Sequence, residues 1–240
     1  MKIAVSGATG RMGKLIIEAV LCSNDLELVA AVSAPGVPEI GTDAGAAIGK
    51  TTGILISDDV QDLAKADVLI DFTRPQATLA YLPFCVAHNI GVVIGTTGFD
   101  AQSKENIVEA ARSVPVVFAP NMSVGVNSVL KLLEIAGALL SQYDCEIVEM
   151  HHKHKVDAPS GTALEMGRRV AQGRGVDFDS VAVLSREGHT GERPDGAIGF
   201  AALRGGDVVG DHTVIFAGPG ERIEISHKSG SRAGYAQGAV

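Results

Sequence analysis

Three of the seven histidines and two lysines fall within His151-His152-Lys153-His154-Lys155, in a chain whose formal net charge is −8. Crowding cations is electrostatically costly unless an anion or solvent relieves it, so the cluster implies an anionic ligand. The run continues Val156-Asp157-Ala158-Pro159-Ser160-Gly161-Thr162. Ser160 has the place of a helix N-cap, with Gly161 and Thr162 in a first turn whose backbone N–H groups suit a carboxylate or phosphate. A cationic strand end beside such a turn would make a pocket for a small dianion. A histidine there titrates near neutral pH and is the natural proton donor to a carbanion formed by hydride addition. Two plainer readings compete: a solvated basic run and a metal site. Adjacent strand residues point to opposite faces, so His151 and His152 would not chelate one ion together. His152 and His154 could share a face but lack a matching set of acidic or Cys partners, and no metal is expected.

A second chemical signal lies at the start of the chain. Gly7-Ala8-Thr9-Gly10-Arg11-Met12-Gly13 follows the apolar run Ile3–Val5 and opens a helical pattern. Glycines allow a tight turn and close approach of backbone to a pyrophosphate, and the helix N-terminus adds N–H groups and a positive dipole end. A Gly-rich turn without ligand is the alternative, but strand, loop and helix in this order favour a dinucleotide. The acidic residue or arginine that would select NAD or NADP some twenty residues on is absent. Ser33-Ala34 stands there instead, and Ser33 could hydrogen-bond either form.

The elements that must position these groups change character near the middle of the chain. Apolar runs at Ile3–Val5, Leu26–Val32, Ile54–Ile56, Val68–Phe72, Val92–Ile94 and Val116–Phe118 alternate with helical patterns near Gly13–Leu21, Pro75–His88 and Ala101–Arg112. Continuous apolar strands alternating with helices indicate a parallel, doubly wound, Rossmann-type sheet. After Pro120-Asn121 come a long helix over Val124–Gln142, a strand over Glu146–His152 and a helix over Ser160–Gln172. The runs Ile198–Leu203, Val208–Ala217 and Arg222–His227 then read as adjacent strands joined by Gly-Gly and Pro-Gly turns. The expectation is a dinucleotide-binding domain over 1–122, completed by 230–240. A second α+β domain over 123–229 should carry a mixed, mostly antiparallel sheet that holds the substrate.

Composition narrows the function classes. Hydrophobic residues make up 46% and aromatics 4%, with 29 glycines and no Trp, which fits an α/β protein with an aliphatic core. The acidic balance argues against nucleic acid and against anionic membranes. No stretch is apolar enough to span a bilayer. Cys22, Cys85 and Cys145 lie in apolar surroundings and read as buried hydrophobes, so a reduced, cytoplasmic protein is expected. Their setting also counts against a semialdehyde dehydrogenase, which needs a nucleophilic Cys in a polar cleft. A non-catalytic dinucleotide sensor would need the glycine loop but no proton donor.

The run from His151 to Ala163 closely resembles the signature of the 4-hydroxy-tetrahydrodipicolinate reductases, also called dihydrodipicolinate reductases, of the diaminopimelate route to lysine. The Gly7–Gly13 loop, Asp71-Phe72-Thr73-Arg74-Pro75, Gly95-Thr96-Thr97-Gly98 and the run from Pro120 to Asn127 are similar to the family's other motifs, in order. The resemblance implies hydride transfer from NADH or NADPH to a cyclic imine bearing two carboxylates. It implies His151 as proton donor with Lys155 assisting, and His152, Gly161 and Thr162 as ligands of substrate carboxylate. Gly7, Ala8, Thr9, Gly10, Arg11, Met12, Ser33, Ala34, Gly95, Thr96, Thr97, Ala119, Pro120, Asn121 and Met122 would line the cofactor. It further implies a homotetramer built through the second domain, and Arg232 near the nicotinamide. Some family members carry an acidic–basic pair where Ser33-Ala34 stands, and most continue for a helix and a short tail, so residues beyond Val240 are expected.

Overall fold

The computed structural model describes all residues from Met1 to Val240. The chain folds as two compact units, Met1–Ser123 with Arg232–Val240, and Val124–Ser231.

The first unit is a six-stranded sheet, β1 (Lys2–Ser6), β2 (Glu27–Val32), β3 (Ile56–Ser57), β4 (Val68–Asp71), β5 (Gly91–Ile94) and β6 (Val116–Phe118). Its order is β3-β2-β1-β4-β5-β6 and every pairing is parallel. The helices are α1 (Arg11–Cys22), α2 (Pro75–Ala87) and α3 (Ala101–Ala110). The strand order reverses between β1 and β4, the place where a doubly wound sheet opens a crevice beyond its carboxyl ends. One face packs Ile3, Val5 and Ile70 against Ile16, Ile17 and Val20 of α1 and against Ala236 and Ala239 of the closing helix Ala233–Ala239. The other packs Ala4, Leu69, Val92 and Ile94 against Leu82, Cys85 and Ile107. Strand β3 is shorter and later than the apolar run Ile54–Ile56 suggests. Leu55 instead forms an antiparallel bridge to Asp43, and Ala44 N donates to Ile54 O at 2.8 Å, so a local loop takes the first part of the run.

The second unit contains α4 (Val124–Leu139), β7 (Asp144–His151), α5 (Gly161–Arg174), α6 (Phe178–Val181), β8 (Ala182–Val183), β9 (Ile198–Arg204), β10 (Gly210–Gly218) and β11 (Glu221–Ser229). The sheet order is β11-β10-β7-β9-β8. Antiparallel ladders of nine pairs (β10 with β11) and seven pairs (β10 with β7) outweigh parallel ones of seven (β7 with β9) and two (β8 with β9). Contrary to the hairpin expected from the sequence, β9 and β10 are not neighbours, because β7 lies between them. Gly205-Gly206 does not close a hairpin but arches over the end of β7, with Gly205 N donating to His151 O at 2.9 Å and Lys153 N donating to Gly206 O at 3.3 Å. A central strand far away in sequence satisfies both neighbours better than a local turn could.

The sheet's helix-covered face explains where the polar groups gather. Along β7 the inward positions run Cys145, Ile147, Glu149, His151, and along β10 they run Phe216, Val214, His212, Gly210. At one end these positions join the apolar core beneath α4 and α5. At the other end the same face turns polar, and the N-terminus of α5 lies over it through Ser160.

Candidate active site

In the second unit the basic cluster divides. His151 ends β7 and is buried, whereas Lys153 and His154 are exposed and belong to solvent. His152 is half-buried, its ring 6.3 Å from that of His154. Lys155 Nζ donates to Asp157 Oδ1 at 2.7 Å, and this hydrogen bond holds the Asp157 carboxyl below its usual range. Ser160 is the N-cap of α5, its Oγ accepting from Ala163 N at 3.2 Å. Gly161 and Thr162 form the turn that follows, so the structure brings the turn and His151 to the same end of one sheet face. No group of three or more His, Cys, Asp or Glu residues is arranged to hold a metal ion.

Three residues that sequence reasoning missed build the interior of this site. Glu149, 1% exposed, accepts from His151 Nδ1 at 2.6 Å, from Ser160 N at 3.0 Å, and from Arg204 at 2.8 and 2.9 Å. Burial alone would raise this carboxyl, but the hydrogen bonds from Arg204, His151 and Ser160 outweigh it and hold Glu149 below its usual range. Arg204 also donates to Asp157 O at 2.7 Å, fastening the loop between β7 and α5. His212 places Nε2 3.0 Å from Ser160 Oγ, and its ring meets that of His151 edge-on at 5.1 Å between centroids. The available signal was the alternation itself, which puts Glu149 and His212 on the inward face of strands whose other inward residues are apolar.

Burial, then the neighbouring His151, push His212 down to about 4, so it is neutral near pH 7. The unfolded chain takes up this proton near pH 6.5 and the folded one only near about 4. Between those values the unfolded state binds more protons, so this contribution to stability is full above about 6.5 and is lost as pH falls toward about 4. Urea unfolding at pH 7.5 and pH 5 should therefore show a smaller acid destabilisation in His212→Gln than in the parent. Equal losses in the two proteins would contradict the assignment.

In the first unit the loop from Gly7 to Gly10 leads into α1, whose first turn holds Arg11 and Met12; Gly10 is the N-cap and no side chain caps the helix. Gly7 has φ +64°, and a Cβ on Gly13 would fall 2.1 Å from Gly7 O and 2.8 Å from Ala8 Cα. The turn thus exists only with glycine at these places, and it leaves the helix N-terminus available to phosphate. The Ser33 hydroxyl is engaged by the loop: it accepts from Thr9 N and donates to Thr9 Oγ1, both at 3.2 Å. Ala34 follows the end of β2. Gly95, Thr96 and Thr97 follow β5, and Ala119, Pro120, Asn121 and Met122 follow β6, all beyond carboxyl ends of the parallel strands. Asp71, fully buried at the end of β4, accepts from Ser6, Thr73, Thr78 and Thr96 and ties three of these strand ends together. The residues fit a dinucleotide: a glycine cradle, an uncapped helix and a rim of backbone past successive strands.

The family model for the N-terminus of dihydrodipicolinate reductase matches residues 1–122, and the model for its C-terminus matches residues 125–240. The 4-hydroxy-tetrahydrodipicolinate reductase of Polynucleobacter necessarius is 59% identical over 242 residues, covering 100% of this chain and 91% of the relative. That of Cupriavidus metallidurans is 60% identical over 244 residues, with the same coverage. Among solved structures, a dipicolinate-bound dihydrodipicolinate reductase from Paenisporosarcina sp. TG-14 is similar with a TM-score of 0.78 at 25% identity, over 99% of this chain and 91% of that one. The two models between them take in nearly every residue of both units, and the chain belongs to the dihydrodipicolinate reductase family.

Proposed function

We propose that the protein is a reductase that uses NADH or NADPH to convert 4-hydroxy-tetrahydrodipicolinate to tetrahydrodipicolinate in the diaminopimelate route to lysine. The substrate and product names fix the balance: a ring C–OH becomes C–H, so one hydride and one proton enter and one water leaves. The nicotinamide, when bound, supplies the hydride. Gly7, Ala8, Thr9, Gly10, Arg11 and Met12 hold its pyrophosphate, with Gly95, Thr96, Thr97, Ala119, Pro120, Asn121 and Met122 along the rim. Ser33 and Ala34 stand at the ribose end. Neither the acidic residue that selects NADH nor an arginine that selects NADPH stands there, so the reading names NADH or NADPH without a preference.

His151 gives the proton from Nε2, and Lys155 assists. His152 and the Gly161–Thr162 turn bind substrate carboxylate, using the N–H groups that open α5. The bound dipicolinate of the Paenisporosarcina enzyme supports a small dicarboxylate. The observation that carries this reading is His151 itself: a buried histidine, hydrogen-bonded to an ionised carboxylate and set beside a helix N-terminus. The second unit also serves assembly into a homotetramer. The edge strand β11, exposed along most of its nine residues, supports that role. No helix is long and apolar enough to cross a membrane. The reading puts the enzyme in the cytoplasm, a reducing compartment compatible with three unpaired thiols.

The test is loss of nicotinamide absorbance with substrate generated in place from pyruvate and aspartate semialdehyde by the preceding synthase. Substrate-dependent oxidation is expected, and the ratio of kcat/KM with NADH and with NADPH gives the cofactor preference. Absence of oxidation with either, in a folded protein, would move the sensor alternative ahead.

A further inference from the structure

Beside the proton donor lies a carboxylate to which neither the family signature nor the proposed reaction gives a role. We infer that Glu149 is a positioning residue that fixes His151 in the tautomer carrying hydrogen on Nδ1 and ties this donor to the substrate-binding turn of α5. The inference rests on the reductase reading for its catalytic consequence, but its structural claim stands apart from turnover.

Glu149 accepts four hydrogen bonds, two of them from Arg204, and it is held ionised. An ionised carboxylate can only accept. The hydrogen in its 2.6 Å contact with His151 therefore sits on Nδ1. Nε2 is left as the one nitrogen whose proton can be given up. When it is given up, the ring stays neutral with Nδ1–H still bound to Glu149, and no ring flip or second acceptor is needed.

The other carboxylate oxygen makes the coupling. Oε1 accepts from Ser160 N, and Ser160 caps the helix whose first turn is Gly161-Thr162. Arg204 bridges both oxygens and also donates to Asp157 O, so one charge pair holds the loop before α5 at Asp157 and at Ser160. Space beside the donor nitrogen is kept by Gly210: a Cβ there would fall 2.9 Å from His151 Nε2. His212 completes the surroundings from β10, held neutral and edge-on to His151.

A buried ion pair of purely structural use would give a different result on substitution. In Glu149→Gln the amide oxygen is expected to keep facing Ser160 N–H and Arg204 Nη2, which turns the NH₂ group toward His151 Nδ1 and costs the bond from Arg204 Nη1. That donor requires a lone pair on Nδ1 and so forces hydrogen to Nε2, and it opposes the doubly protonated ring. Turnover should fall by about a hundredfold or more, because a histidine held in the wrong tautomer loses most of its acid–base contribution. KM for the dicarboxylate should change little, because the Ser160 contact persists.

The experiment is long-range proton–nitrogen NMR of protein labelled at histidine nitrogens, at a pH where the ring is neutral, with His151→Ala used to assign the signal. The parent should show Nδ1–H for residue 151 and Glu149→Gln should show Nε2–H with kcat reduced at near-constant KM. An Nε2–H signal in the parent overturns the inference, as does unchanged kcat in a folded Glu149→Gln protein. Should that variant fail to fold, the parent spectrum alone decides. A parent that shows Nδ1–H but turns over no substrate would count against the reductase reading and not against the tautomer.

Discussion

Replacing His151 by Ala should lower turnover by about two to four powers of ten, the range for loss of a general acid, while leaving the dissociation constant for NADH or NADPH unchanged. Both halves of the expectation follow from placement. His151 lies in the second unit, at the end of β7, and the glycine loop with its rim lies wholly in the first. The residual rate would come from hydride transfer with water as proton source. A side chain lost from a largely filled strand end costs some packing, so circular dichroism and a thermal midpoint should accompany the kinetics. Near-parent turnover in a folded variant would remove His151 from the mechanism, and a sensor would behave in that way. A large change in cofactor affinity would show that the variant perturbs more than the donor.

Gly13→Ala should do the converse. The added Cβ would meet Gly7 O at 2.1 Å, Gly7 C at 2.8 Å and Ala8 Cα at 2.8 Å, all backbone atoms that no side-chain rotation can move away. The loop or the start of α1 must therefore shift. Overpacking of this kind costs about 1–3 kcal/mol or more in stability. A phosphate held by two backbone N–H groups of the loop would draw about 1.5–3 kcal/mol from each, and both bonds would depend on the loop's shape. Their loss should weaken cofactor binding by at least about a hundredfold. Titration calorimetry with NADH and with NADPH measures this directly. A folded variant that binds either cofactor as the parent does would mean that the loop is not the phosphate site.

How much of this could be read from the sequence depends on how local each feature is. The glycine loop, the Ser160 cap and the parallel rhythm of the first unit are set by residues close in sequence, and each is legible. The strand of β7 is legible, but its inward face carries Glu149 and His151 after Cys145 and Ile147, and of the two only His151 stands in a basic run that marks it. Arg204 meets Glu149 across 55 positions and His212 meets Ser160 across 52, distances over which composition and spacing carry no signal. The place of β9 beside β7 and not beside β10 is non-local in the same way. A Gly-Gly pair looks like a hairpin turn, whereas here it arches over the end of a strand formed some fifty residues earlier. The Ser33 hydroxyl adds a contact that spacing does not announce: it bonds Thr9 of the glycine loop and so braces that loop from the end of β2.

The most direct test of the central claim is the fate of hydrogen from the cofactor. NADH or NADPH carrying deuterium at both C4 positions of the reduced ring would be turned over with substrate made in place, and the product examined by mass spectrometry. Tetrahydrodipicolinate one mass unit heavier than with unlabelled cofactor is expected, in an amount equal to the cofactor oxidised. Unlabelled product, with deuterium retained in the nicotinamide or released to water, would show that no hydride passes to this substrate and would contradict the account.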